Sequence, residues 1–191
     1  MNQPNPVLSS DMLEKLQQLV DKQEILECIY RYSRGLDRHD DEILASVFHE
    51  DAVDNHGAHV YRREDFVRWA NYQVHSGYAS HMHHITSHTS DIDGDEAHAE
   101  SYVIFVHRYQ DGRTVHIAGG RYIDRLERRD GEWRIALRTL SVDFRILADG
   151  SVHGDWDGYP KGTQDRTDPS YLRPLVLPPE IQAKYQAQYG A

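Results

Sequence analysis

Residues 81–95 read HMHHITSHTSDIDGD. Four of the thirteen histidines stand in this stretch, His81, His83, His84 and His88, among Ile, Thr and Ser residues that predict an extended strand rather than a helix. The strand is closed by the turn signal Asp93-Gly94-Asp95, and the same punctuation recurs downstream as Gln110-Asp111-Gly112 and Arg129-Asp130-Gly131. Four long strands follow from it, over 83–92, 97–109, 113–128 and 132–147, joined as an antiparallel meander.

Upstream the pattern is helical. Asp11 with Glu14, followed by Leu13, Leu16, Leu19 and Val20 on one face, predicts a short first helix. Asp21 with Glu24 repeats that capping device, and Ile25, Ile29, Tyr32 and Leu36 mark the buried stripe of a second helix. Gly35 stands where that helix can end, which leaves Asp37 just beyond its last turn. A short helix over 41–48, two brief strands around Asn55-His56-Gly57, and an amphipathic helix over 64–78 with Phe66, Trp69, Ala70 and Tyr72 inward complete the series. Helices followed by a curved antiparallel sheet predict an α+β cone, with the helices closing its concave face over a pocket. The expected organisation is a leader over 1–10, the cone over 11–147, and an ordered arm over 148–191. Aromatic residues such as Trp156, Tyr159 and Tyr171 would pack that arm over the pocket mouth or against a neighbouring subunit.

Composition narrows the function. A formal charge of −10 with no long basic stripe excludes a phosphate-backbone partner, so no nucleic acid is expected. No apolar run approaches membrane-spanning length and no targeting segment is evident, which makes a cytoplasmic protein without membrane contact the expectation. The single cysteine, Cys28, falls beside Ile25 and Ile29 and reads as a small buried hydrophobe. Walker-type, GxGxxG, CxxC, HExxH and GxSxG signatures are all missing.

Strand alternation then selects candidates for the pocket. His84 shares a face with Met82, Thr86 and His88, while His107 falls with Val103 and Phe105 on the next strand. Arg138 shares parity with Leu140, Val142 and Phe144, and an arginine on an apolar face needs a carboxylate or a ligand. The opposite parity of that last strand, Trp133, Ile135 and Leu137, is apolar too, so its second face calls for cover by another subunit. His81 and His83 can face one way, but no third metal ligand accompanies either histidine pair, so no metal is expected.

The segments HHITSH, DGDEAHAESYV and GGRYIDRLERRDGEWRI, in this order after a helix carrying Tyr32 and Asp37, resemble the SnoaL-like branch of the nuclear transport factor 2-like superfamily over roughly residues 15–147. Scytalone dehydratase, bile-acid 7α-dehydratase and hexachlorocyclohexane dehydrochlorinase belong to that branch. The resemblance places Asp37 and His84 on the positions of their shared aspartate and histidine, and Tyr32 on that of the tyrosine of the bile-acid enzyme. His107 is similar to a second histidine of scytalone dehydratase, and Arg138 to an arginine of the dehydrochlorinase. The chemistry implied is proton abstraction by a neutral histidine whose tautomer the aspartate fixes. Elimination of water, hydrogen halide or formaldehyde from a hydrophobic cyclic or aromatic substrate would follow, without metal or organic cofactor. The same fold also serves isomerases, polyketide cyclases and the non-catalytic small subunits of aromatic-ring dioxygenases. Homo-oligomers, trimers above all, are what the resemblance implies for assembly.

Overall fold

The computed structural model describes residues 8–152 and 159–190. One helix, α1, runs unbroken over Ser10–Asp37 where two were expected. Ser9 caps it by accepting the Met12 N–H at 3.3 Å, so Asp11 lies inside the first turn and pairs with Lys15. Asp21 starts no new helix because its carboxylate serves the tertiary structure. It accepts from the Trp133 indole at 3.0 Å and from Arg128 at 2.7 Å, fastening α1 to the last hairpin. Gly35 likewise ends nothing. A Cβ there would lie 2.8 Å from the Leu44 backbone nitrogen, so glycine is what lets α1 approach the next helix. The turn after α1 needs His39 at a positive φ of 47°.

Helix α2 (Asp41–Ser46) is capped by Asp40 and leads into β1 (Phe48–His56), which turns through Gly57 into β2 (His59–Arg62). The helix expected over 64–78 is shorter, α3 (Arg63–Arg68), and loosens into a π-helical turn over Trp69–Val74. Four long strands follow, β3 (Tyr78–Asp93), β4 (Glu96–Tyr109), β5 (Thr114–Arg129) and β6 (Glu132–Asp149). They form the antiparallel meander, and β1 joins its far side parallel to β6, giving a mixed six-stranded sheet in the order β2-β1-β6-β5-β4-β3. The result is the α+β cone: α1, α3 and the π turn lie across the concave face, with Ile25, Ile29, Tyr32, Phe48, Phe66, Tyr122, Leu126 and Ile135 in the core. Cys28 is fully buried there, and burial pushes its thiol up to about 11.

Bulges decide which side chains face inward. On β3 the register with β4 shifts between Ile85 and Ser87, so His81, His83 and Ile85 face the core before the shift and His88 and Ser90 after it. On β6 the register with β5 shifts at Ala136, which turns Trp133 and Ile135 inward on one side of the bulge and Arg138 and Leu140 inward on the other. The two apolar faces expected of this strand are thus largely one inner face interrupted by an extra residue. A second bulge opposite Gly119 and Gly120 brings the Ser141 carbonyl to 2.1 Å from where a Gly120 Cβ would be, so only glycine fits.

The described part of the arm divides in two. Residues 163–171 dock on the corner between α1 and α2, where Tyr171 donates to Asp40 at 2.7 Å, Arg38 pairs with Asp168 at 3.3 Å, and the Arg34 guanidinium stacks on Tyr171. Beyond them, α4 (Pro179–Tyr189) and its approach are exposed, including Leu175 and Val176. Trp156 lies outside the described residues. No described residue of the arm lines the pocket, so cover of the pocket mouth, one of the two placements expected, is not what residues 159–190 provide.

Candidate active site

The C-terminal turn of α1 puts Asp37 at the rim of the concave face, with the start of β3 alongside. Asp37 Oδ1 accepts from His83 Nδ1 at 2.7 Å and from His81 Nδ1 at 3.2 Å, while Oδ2 accepts the backbone N–H of His83 at 3.0 Å. Burial works against the charge on this carboxylate, but the hydrogen bonds from His81 and His83 outweigh it and hold Asp37 well below the usual carboxylate range. His81 is tied from its other side, Nε2 to Nε2 of His39 at 2.9 Å, and burial lowers its affinity for a proton despite the Asp37 contact.

The histidine at Asp37 is therefore His83, with His81 behind it, and not His84. His84 is exposed on the convex face, beside Met82. The side chains of a strand alternate, so a one-residue error transfers the whole set to the wrong face. A signal for the correct parity was present: Ile85, an apolar side chain that belongs inside, shares its face with His83 and His81.

His83 opens onto a cavity of about 290 Å³ between the helices and the sheet. Aromatic and aliphatic side chains make most of the wall, among them Phe66, Trp69, Phe105 and Leu140, and the polar members are chiefly His56, His83, His107 and His116 with Tyr32 and Tyr78. His107 stacks on Tyr78 at 4.3 Å and lies 5.7 Å, ring to ring, from His83. Its burial, reinforced by the neighbouring histidines, pushes its pKa down to about 3, so it is a neutral hydrogen-bonding group. His116, which drew no attention in the sequence, stands 5.3 Å from His107, and neither of its ring nitrogens has a hydrogen-bond partner among the described residues. Burial holds it neutral too.

Tyr32 lines the cavity with its ring, but Arg138 does not line it. The guanidinium is fully buried, donates from Nε and Nη2 to the two oxygens of Asp124 at 2.7 Å each, and lies against the Tyr32 and Tyr122 rings at 3.9 and 4.1 Å. The carboxylate that an inward arginine requires is supplied by the neighbouring strand, which makes Arg138 part of the core. Asp37, His81 and His83 also bring one ligand atom each to within 4.8 Å of one another, so Asp37 is the third group that the sequence did not attach to this histidine pair. Those three could hold a divalent ion.

The SnoaL-like domain model matches residues 17–139. None of the curated proteins matches the chain in sequence. Among solved structures, a hexachlorocyclohexane dehydrochlorinase of type 2 superposes with a TM-score of 0.69 at 21% identity, covering 76% of this chain and 99% of its own. A protein of Novosphingobium aromaticivorans provisionally named a scytalone dehydratase gives 0.62 at 24%, covering 75% and 97%. A protein of unknown function from Mycobacterium tuberculosis gives 0.59 at 27%, covering 72% and 78%.

Proposed function

From a chain that belongs to the SnoaL-like domain family, we propose a lyase that needs no cofactor, in which His83 takes a proton from a hydrophobic cyclic or aromatic substrate and a small group departs. The observation that carries this reading is the 2.7 Å contact between Asp37 and His83 at the cavity wall. With Nδ1 engaged by the carboxylate, Nε2 is the nitrogen that exchanges a proton with a ligand, and the anion behind it stabilises the imidazolium that forms. His81 contributes as a positioning residue, since it shares Asp37 and fixes where that carboxylate points. His107 and His116 offer neutral hydrogen bonds to an oxygen that gains charge in the transition state, and Tyr32 shapes the floor. The aromatic lining and the cavity size favour a substrate of one or two rings. The dehydrochlorinase and dehydratase names of the structural relatives support a lyase over an isomerase or cyclase. A purely structural small subunit has no use for an inward dyad.

Exposed Leu13, Leu16 and Leu19 on the first half of α1, with Ile104, Ile123 and Phe144 on the convex sheet, support a homo-oligomer, a trimer by analogy with the family. Light scattering on the eluting protein checks it; a monomer at micromolar concentration refutes it.

The function is tested by mass spectrometry of chelator-treated wild type and His83→Ala incubated with aryl and alicyclic alcohols, aryl propanediols and halides. The expected result is a product lighter by water, hydrogen halide or formaldehyde, formed by wild type alone. Equal turnover by His83→Ala overturns the assignment of the base, and folded wild type inert toward every compound overturns the lyase reading.

A further inference from the structure

Elimination of water needs a second proton transfer as well as the first. The group that leaves as hydroxide must be protonated as its bond to carbon breaks. On the His83 side of the cavity the histidines His107 and His116 are held neutral by burial, and the hydroxyl of Tyr78 is the other group that carries a proton.

The opposite wall carries another histidine and aspartate. His56, the last residue of β1, lines the same cavity, and its Nδ1 lies 3.0 Å from Asp54 Oδ1. The Asp54 side chain is 1% exposed, against 20% for His56, so the carboxylate is behind the ring and the ring is toward the cavity. Asp54 Oδ2 is buried without a hydrogen-bond partner among the described residues. Across the β1–β6 ladder its register partner is Arg138, whose Nε and Nη2 are both taken by Asp124. One buried cation thus stands among two buried carboxylates, with its Nη1 making no hydrogen bond among the described residues, and the hydrogen bond that Asp54 does make is to His56. The ring is steadied by Trp69 edge-on at 5.1 Å and by Phe66 at 5.5 Å.

The topology sets this pair against the first. β1 and β3 are four steps apart in the sheet, about 19 Å if it were flat. Curvature brings His56 and His83 to the wall of one cavity.

We infer that Asp54 and His56 form a second proton-transfer dyad that serves the leaving group. The inference rests on His83 being the base. In the forward step the C–H electrons form the new double bond while the proton passes to His83 Nε2. The C–O bond breaks, and its oxygen takes the proton on His56 Nε2. Water leaves, His56 ends neutral, His83 ends as the imidazolium, and exchange with solvent restores both.

The test has two arms on the full chain. In the ligand-free arm, nitrogen shifts of the histidine rings report which ring nitrogen carries the proton. His56 is expected to hold its proton on Nδ1 in wild type and to lose that preference in Asp54→Asn, where the amide can donate to the ring instead. A His56 that populates both tautomers freely in wild type refutes the pair. In the kinetic arm, a benzylic β-hydroxyketone is compared with its β-acetoxy analogue, because acetate leaves without prior protonation. His56→Gln should lower the ratio of dehydration to acetate loss about a hundredfold, whereas His83→Gln should depress both reactions together. A His56→Gln variant that changes both rates equally makes His56 a packing residue and overturns the inference. Wild type inert toward both ketones refutes the lyase reading and the proton delivery with it, while the shifts still report whether the pair exists.

Discussion

Two of the groups of buried charge within this cone are built on opposite rules. Arg138 and Asp124 are sealed, both fully buried, matched fork to fork, with two tyrosine rings packed against the guanidinium. The Asp37 carboxylate instead sits at the cavity rim, 15% exposed, with titratable histidines as its partners. A charge satisfied by a permanent countercharge is part of the architecture. A charge satisfied by groups that can gain and lose a proton can take part in chemistry, which is the role we propose for this one.

The largest effect separating the two clusters is expected in turnover. His83→Ala should lower kcat/KM about a thousandfold, ~4 kcal/mol of barrier, with circular dichroism and melting temperature close to wild type. Arg138→Met should do the reverse, costing about 3–5 kcal/mol of stability through the uncompensated Asp124. Urea denaturation measures that loss, and the double variant Arg138→Met with Asp124→Leu should recover much of it. If Arg138→Met stays fully stable yet inactive, the division between the clusters fails.

A smaller effect lies in pH. Burial lowers the folded pKa of His107 to about 3 and also lowers those of His39, His81 and His116, while the unfolded chain titrates near the ordinary value of 6.5. Below that value the unfolded state binds more protons, so stability is fully present above it and falls as the pH drops toward 3. The slope is about 1.4 kcal/mol per pH unit for a group such as His107. Urea midpoints at pH 7, 6 and 5 should decline in that order, and His107→Phe should flatten the decline. The smallest effect belongs to His84→Ala. An exposed convex-face side chain should cost less than about 0.5 kcal/mol and leave turnover within a factor of two; a large loss would return the base to His84.

Much of the architecture was legible because it rests on local chemistry. The Asp-Gly turns place the hairpins of the meander, and the stripe from Ile25 to Leu36 announces the buried face of α1. Tyr32 and His107 were legible as inward residues for the same reason, whereas Asp37 was singled out by the family resemblance and by no local pattern. What failed to read was whatever depended on a distant partner. Asp21 looks like a helix start until Trp133 and Arg128 are brought to it. Arg138 looks like a ligand group until Asp124 closes on it from the next strand. The family resemblance points to His84 instead of His83, and strand parity without a known face is only a pair of alternatives, so it does not correct the choice. His56 read as a turn residue, and nothing local couples it to a cavity wall whose other side is contributed by β3.

The sequence by itself determined an α+β cone with an acidic surface, a histidine-rich first long strand and an aspartate at the end of its helix, since composition, periodicity and turn residues act over a few positions. Only the tertiary structure decided which histidines meet that aspartate, that the arginine belongs to the core, and that His56 reaches the same cavity as His83. Bulges shift parity by one residue, and the curvature of the sheet brings together strands that lie four steps apart. Both are set by packing across the whole domain rather than by any stretch of the chain.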